Sequence, residues 1–569
     1  MGNMKMKNNK NFDAIVIGSG ISGGFAAMEL CNKGYKTLVL ERGRMVQHGQ
    51  YPTAHMDTWD LPNLNKVSLE EKQQHYQKQD RLNWWVNEDN KHWINKDDEN
   101  PYNEDQRFDW IRGYHVGGRS IMWGRQCYRW SDIDFSANLN DGVAVDWPIR
   151  YADIAPWYDY VETFVGVAGQ AEGLKQIPDG VFLKPFQLNC VEQKMREAVA
   201  KRYPDRVVTP GRVAHLTEYN PEVHKGPRGQ CQSRNRCWRG CPFGGYFSSL
   251  SSTLPVAAET GNLTVRANSI VMEVVYDAKT KKASGVKVKD AESGEVIVFN
   301  ARVIFCNAST VATTAILLNS RSETFPNGLG NSSGELGHNL MDHHYGMGAS
   351  GILPGHEDDY YQGRKPTGFY IPRFTNIDEQ SKQKEYIRGF GYQGGAMRVQ
   401  NNPHGLVGEE LKAEVFKPGP YRIGMTCFGE MLPYHENRMY LNFNQRDKHG
   451  LPMVTFDARL RDNEMKLREH GVKCAIEMLE AAGCVDITSY NSLTAPGACI
   501  HEMGTARMGR DPKTSVLNKW NQMHDVSNVF VTDGACMTSS GTQNPSITYM
   551  ALTARAVDYA HKQIQQNKL

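Results

Sequence analysis

A chain of 569 residues is too long for one simple core, so two domains are expected. Its 40% hydrophobic and 22% charged residues describe an ordinary soluble globular protein. A net charge of +2, with no basic run and no basic stripe interleaved with aromatics, speaks against nucleic acid or an anionic membrane as partner, and no apolar stretch of about 18 residues is present to span a bilayer.

The leader MGNMKMKNNKN carries lysines but no apolar h-region, so no secretory signal is expected. The protein would stay in the cytoplasm or leave it folded beside a partner that carries a signal. Residues 12–18 (FDAIVIG) read as a buried strand, the turn GSGISGG opens a helix, and KTLVLERG is a second strand ending at Glu41. Gly18, Gly20 and Gly23 therefore stand between strand and helix, and Glu41 lies 18 residues beyond Gly23. The first glycine permits a tight turn, the second lets backbone approach a pyrophosphate, and the third allows close helix packing. The helix N-terminus offers N–H donors to phosphates, and Glu41 can accept from a ribose diol. In this context GxGxxG predicts a dinucleotide rather than a ligand-free turn, without separating FAD from NAD.

Residues 44–107 are rich in charge, Asn, Gln and Trp (Trp84, Trp85, Trp93) and weakly periodic. They read as an excursion from the first domain, an arm or lid, or more simply a solvated surface insertion. A glycine-rich stretch, 113–124, is followed by a helical segment at 146–169. Cys231, Cys237 and Cys241 are spaced C-x5-C-x3-C with Pro242 directly after; the other nine of the twelve cysteines are scattered and read as small buried hydrophobes. Residues 262–277 and 283–305 alternate as antiparallel strands do, and RIGMTCFGEML, NRMYLNF and MVTF suggest a second sheet. A helix at 462–482 precedes VFVTDGA and SITYMALTARAVDYAHKQI, a strand and long helix that rejoin the first domain. The expected fold combines α/β and α+β: a Rossmann-like domain from segments 1–60, 105–145, 225–345 and 490–569, an arm at 61–104, and a substrate domain on an antiparallel sheet from 146–224 and 346–489.

From residue 12 to 560 the order and spacing of further stretches resemble the glucose–methanol–choline (GMC) oxidoreductase family, which implies FAD. The run Gly117-Gly118-Arg119-Ser120-Ile121-Met122-Trp123-Gly124 is similar to the family's second flavin loop, implying that Gly117, Gly118, Ser120 and Trp123 lie along the cofactor. Some relatives carry a flavin-bearing His just before this Trp; Met122 stands there, implying non-covalent FAD. Residues 335–343 (ELGHNLMDH) resemble the family's GRNLMDH segment. Asp533-Gly534 resembles the pair near the ribityl chain, and Val271 aligns with the residue whose backbone meets the adenine. His501, in HEMGTARMG, and Asn544, in GTQNPSITYMAL, are implied as the pair opposite flavin N5. An imidazole suits the base that takes a hydroxyl proton, and an amide can hold the substrate oxygen. Singly, any one of the 18 histidines would be ordinary structure, and His338, His343 and His344 read so. Gln543 is carried along as a weak contact to sugar hydroxyls.

The cysteine loop resembles the cluster-binding loop of bacterial FAD glucose dehydrogenases within this family. Three thiolates without a fourth suit a three-iron, four-sulfide (3Fe-4S) cluster, which would hand the two electrons of FADH2 singly to a haem acceptor. Zinc held by the three cysteines and His224, one disulfide with a free thiol, and three buried thiols are the alternatives. The C-terminal run is most similar to glucoside 3-dehydrogenases and to glucose or gluconate dehydrogenase large subunits. The expected reaction is oxidation of C3 of a glucoside or disaccharide to the 3-keto sugar. Oxidation at C1 of glucose or C2 of gluconate, a cluster-free oxidase using O2, and a non-catalytic flavoprotein subunit are the rivals. The same branch implies a small accessory subunit, a c-type cytochrome acceptor and co-export to the periplasm.

Overall fold

In the computed structural model, which describes residues 10–82, 85–359, 366–401 and 404–569, the run FDAIVI lies in the strand Asn11–Ile17, an interior strand of a seven-stranded sheet. Most of the leader and Trp84 lie outside the described residues. Thr37–Leu40 and Val296–Cys306 flank that strand in parallel, with Leu263–Arg266 beyond Thr37–Leu40. Ala14, Ile15 and Val16 are fully buried, as an unbroken apolar run requires when both faces of a parallel sheet are covered. The strand Val296–Cys306 serves two partners on its other edge. Its first half pairs with antiparallel Lys282–Asp290, and its last three residues pair in parallel with Val529–Val531. That second pairing returns the C-terminal block to this sheet, where helix Ser546–Gln565 packs on helix Ile21–Asn32.

A six-stranded sheet carries the other half of the molecule, in the order Val485–Asn491, His344–Leu353, Tyr421–Gly429, Phe390–Arg398, Phe369–Ile371, Thr209–Pro210. Successive strand residues point to opposite faces. Tyr392, Met425 and Cys427 accordingly enter a core with Val191 and Met195 of helix Cys190–Arg202 and Leu467 and Met478 of helix Asp462–Ala481. Gln393 and Phe428 face the other way, into a cavity between the two sheets.

The expected single second sheet is corrected. Only RIGMTCFGEML joins the six-stranded sheet; NRMYLNF and MVTF form the pair Arg438–Arg446 and Pro452–Asp457, which Asn103–Glu104 extends into a separate three-stranded sheet. The cause is where their apolar faces go: Met439 and Phe456 pack with Phe108, Trp110 and Val311. The helical segment at 146–169 shortens to Tyr151–Val165, ended by left-handed Gly166. Residues 44–107 are solvated only in part: Trp59 is exposed, whereas other described residues of the segment are packed. Trp93 and Trp85 are 1% and 3% exposed and share a core with Val16 and Phe305 of the parallel sheet. No helix among the described residues is long and apolar enough to cross a membrane.

Candidate active site

A cavity of about 580 Å³ lies beyond the C-terminal ends of Asn11–Ile17 and Thr37–Leu40, the position where open parallel sheets bind ligands. Gly18 has φ +97°, and a Cβ there would sit 2.4 Å from the Asn307 carbonyl oxygen. A Cβ on Gly23 would meet the Gly18 oxygen at 2.0 Å, so this glycine lets helix and turn touch and lies behind the cavity wall. Gly20 differs: it lines the cavity, and a Cβ there would find no protein atom within 4 Å. Two glycines are thus demanded by the fold and the third by whatever fills the space.

Ser19 joins the two halves of the cradle. Its hydroxyl donates to Glu41 Oε2 at 2.6 Å and accepts from the Gly117 N–H at 2.9 Å. Glu41 Oε1 accepts from the Gly43 N–H at 3.0 Å; burial pushes the Glu41 carboxyl up, against the pull of these bonds. Gly117 sits behind the wall with φ +90°, while Gly118, Ser120, Met122 and Trp123 line it. The Trp123 indole donates to the Phe247 carbonyl at 2.9 Å, and Ser120 Oγ accepts from the Ser249 N–H at 3.0 Å. Val271, in the strand Ser269–Asp277, lines the cavity, as do Asp533 and Gly534. Asp533 accepts from Thr313 Oγ1 at 2.6 Å, and burial pushes its carboxyl up to about 6. Around the cavity, Asn307 Oδ1, the Tyr549 hydroxyl and the Arg125 Nε and Nη1 atoms are buried with no hydrogen-bond partner among the described residues. Open room beside Gly20 and unspent polar atoms fit a dinucleotide.

His501 and Asn544, 43 residues apart, meet on the opposite wall, with Asn544 Nδ2 at 3.2 Å from His501 Nε2. His501 follows Ile500, whose φ of +67° is strained for a β-branched residue. Asp342, in the ELGHNLMDH run, holds that turn: its carboxylate accepts from the N–H groups of Gly497 (2.8 Å), Cys499 (3.0 Å) and His501 (2.9 Å). Burial, aided by His343 and Arg119, lowers the His501 imidazole well below its ordinary range, so it rests neutral. Gln393 reaches from the six-stranded sheet and donates to Asn544 Oδ1 at 2.6 Å. The cavity opens on a cleft of about 770 Å³ that shares Tyr345, Gln393 and Phe428 with it and adds Thr426 and Tyr490. Gln543 is corrected: its amide donates to Asp134 Oδ2 (3.1 Å) and the Gln176 carbonyl (3.0 Å), and its oxygen accepts from the Thr542 N–H (2.9 Å). All its polar capacity points away from the cavity.

The cysteine loop adjoins the same cavity, which Asn235 and Trp238 help to line. The former surface insertion wraps it: Arg236 pairs with Asp57, Arg239 with Asp89 at 3.0 Å, and Trp85 meets Trp238 edge-on at 5.4 Å. All twelve cysteines are free, which overturns the disulfide alternative, and eight of the nine scattered ones are buried. Cys231, Cys237, Cys241 and His224 do not gather within 4.8 Å of one another; a tetrahedral zinc would hold thiolate sulfurs about 3.8 Å apart. The side chain nearest in kind is His215, with Nε2 at 3.7 Å from Cys237 Sγ. Arg125, 4% exposed, lies over the Trp238 and Tyr246 rings and lowers Cys237, while burial raises Cys237 and takes Cys231 up to about 11. The Arg125 guanidinium, with two donor nitrogens unpartnered, thus acts on Cys231 and Cys237.

Sequence reading missed Asp342, Gln393, Arg125 and the ion pair of Arg119 with Glu502 (2.7 Å), and set His343 aside as structural although it touches His501. Gln393 was the most findable, as a polar residue inside an apolar strand.

A family model described as GMC oxidoreductase matches residues 12–345, and a second with that description matches 433–553. The chain is 28% identical to the 2-methyl-1,2-propanediol dehydrogenase of Mycolicibacterium austroafricanum, covering 96% of this chain and 94% of that protein. It is 26% identical to the fructose dehydrogenase large subunit of Gluconobacter japonicus, covering 97% and 98%. Among solved structures, formate oxidase from Aspergillus oryzae aligns with a TM-score of 0.59 at 13% identity over 98% of this chain and 99% of that one. Pyridoxine 4-oxidase from Mesorbium loti aligns at 0.58 and 15% over 97% and 99%. These two establish the fold.

Proposed function

The chain belongs to the GMC oxidoreductase family, and on that premise we propose that it oxidises C3 of a glucoside or disaccharide to the 3-keto sugar, with FAD bound non-covalently. It acts as an FAD-dependent oxidoreductase on CH–OH groups, and its relatives include sugar and alcohol dehydrogenases. The observation that carries the reading is the His501–Asn544 pair, 3.2 Å apart on the cavity wall and backed by Gln393 of the six-stranded sheet. His501 takes the hydroxyl proton, and Asn544 holds the substrate oxygen. Bound FAD supplies the hydride acceptor. Gly18, Gly20, Gly118 and Ser120 would hold its pyrophosphate side, Glu41 a ribose, Val271 the adenine, and Trp123, Asp533 and Gly534 the flavin side. The segments 1–60, 105–145, 225–345 and 490–569 would make that unit, and 146–224 with 346–489 the substrate unit. The outer cleft favours a glycoside over a simple alcohol. Rings (Tyr345, Phe428, Tyr490) and hydrogen-bonding groups (Thr426, Gln393) suit a polyhydroxylated ring that bears a second group.

Anaerobic mixing with methyl β-glucoside tests this. Bleaching of the flavin excludes obligatory C1 chemistry, and a 3-keto product completes the assignment. Bleaching by free glucose alone moves the assignment to C1.

We also read Cys231, Cys237 and Cys241 as ligands of an iron–sulfur cluster, supported by the unspent charge of Arg125 and by the loop's place in the cavity wall. Iron and acid-labile sulfide should be present in the purified protein. Cys237→Ser should lose both while substrate still bleaches the flavin. A relative described as a large subunit supports a small accessory subunit here, with a c-type cytochrome as acceptor and joint export to the periplasm.

A further inference from the structure

A line of hydrogen bonds runs from Gln393, Asn544 and His501 on the cavity wall back to His343. Gln393 Nε2 lies 2.6 Å from Asn544 Oδ1, Asn544 Nδ2 lies 3.2 Å from His501 Nε2, and His501 Nδ1 lies 2.8 Å from His343 Nδ1. His343 Nε2 ends the line between the Gly541 carbonyl at 2.9 Å and the Ser540 carbonyl at 3.2 Å. Its direction follows from that end. Carbonyl oxygens only accept, so His343 Nε2 carries a proton. His343 is 2% exposed and touches no carboxylate among the described residues; burial takes its imidazole down to about 4, so it is neutral and its Nδ1 is a lone pair. Two lone pairs cannot bond at 2.8 Å, so the proton between the rings sits on His501 Nδ1. A neutral His501 then has its own lone pair at Nε2. Asn544 must offer its amino group there, which turns its oxygen to Gln393, and Gln393 must donate. Two backbone carbonyls thus set the polarity of four side chains.

We propose that His343 is a positioning residue that fixes the tautomer of His501, so that Nε2 keeps its lone pair, held by Asn544 Nδ2 until a substrate hydroxyl takes that place. This rests on the reading of His501 as the base. In the reaction the substrate O–H bond breaks and its proton forms the N–H bond at His501 Nε2. The C–H hydrogen leaves with its electron pair to the oxidised cofactor. His343 Nδ1 continues to accept from His501 Nδ1–H as the ring becomes charged. Cys499 Sγ, 3.5 Å from His501 Nδ1, is a weaker second contact. His343, Cys499 and His501 also bring ligand-type atoms within 4.8 Å of one another. A metal reading of that group fails on distance, because a tetrahedral zinc would hold its nitrogens about 3.3 Å apart and these are 2.8 Å apart.

Without His343 the Nδ1 proton has no strong acceptor and is free to move to Nε2, where it blocks the base. Loss of tautomer control in a Ser-His-Asp triad costs about 10⁴ in rate, which sets the scale. The test uses full-length, FAD-loaded protein and methyl β-glucoside. His343→Leu should slow flavin bleaching at least ~100-fold, with FAD content and KM little changed. His343→Asn, whose Oδ1 can replace Nδ1 as acceptor, should recover most of that loss. Histidine-selective 15N NMR of the unmutated protein, with His501 assigned by its disappearance in His501→Gln, should find the proton on Nδ1. A proton on Nε2 overturns the proposal, as does equal damage by Leu and Asn or unimpaired bleaching in His343→Leu. Should His343→Leu fail to fold, the tautomer in the unmutated protein decides. Undiminished bleaching in His501→Ala instead overturns the base reading itself, whatever the tautomer.

Discussion

The two walls of the cavity are built on opposite terms. The cradle at the ends of the parallel strands works through backbone: left-handed Gly18, Gly23 against the Gly18 oxygen, and Gly20 open to the cavity. The facing wall works through side chains, with Gln393 from an antiparallel strand, Asn544 ahead of a long helix, and His501 from a turn clamped by Asp342. A backbone surface tolerates almost no substitution, because any Cβ intrudes, and so it leaves a readable motif. A side-chain surface constrains only the few groups that touch the reacting atoms. The first wall should therefore fail by losing cofactor, and the second by losing rate.

The largest separation should come from His501→Ala. A general base contributes about 10²–10⁴ in rate, so flavin reduction should fall by that much while FAD content in the purified protein stays whole. Loss of FAD from this variant would erase the division between walls. The cradle gives the converse. Gly20 has φ −71° and ψ −158°, open to alanine, and no protein atom near its would-be Cβ. Gly20→Ala should leave the melting of the apoprotein unchanged to within about 1 kcal/mol, yet weaken FAD binding by about tenfold or more. Gly23→Ala should damage both, since its Cβ would strike the Gly18 oxygen at 2.0 Å. Equal effects of the two substitutions would mean that no phosphate lies against Gly20. A smaller effect is expected from Gln393→Leu, which removes the donor that orients Asn544. Turnover should fall about tenfold, the cost of roughly one hydrogen bond to an oriented group, with FAD content unaltered.

How far the sequence could be read follows the same division. Strand, glycine turn, helix and Glu41 were legible because local sterics and one buried apolar run dictate them. His501 and Asn544 were legible through resemblance, since nothing in HEMGT or QNPS alone says that they meet. His343 lies 158 residues from His501, and no local signal links them. The destination of NRMYLNF and MVTF was hidden for a related reason. Period-2 alternation marks a strand without naming its partner: NRMYLNF pairs with MVTF, and MVTF in turn with Asn103–Glu104. In residues 44–107 neither composition nor charge told the buried part from the exposed part, since Trp85 and Trp93 bury their rings while Trp59 stays exposed.

The smallest expected effect is also the one that sharpens the electrostatics of the second wall. An unperturbed histidine base would lose half its activity near pH 6.5. Burial is the main force on His501, and the Arg119 guanidinium acts in the same direction, so its folded pKa lies well below that value. A base works in its neutral form, and lowering its pKa extends that form to lower pH. As pH falls from 8 through 6.5, kcat/KM for the reductive half-reaction should therefore stay flat, declining only further into acid. His343 does not disturb this window, since burial holds it neutral down to about pH 4. A decline centred at or above pH 6.5 would show that His501 is better solvated than its burial implies, with water reaching Nε2 from the outer cleft. The wall would then owe its rate to position alone.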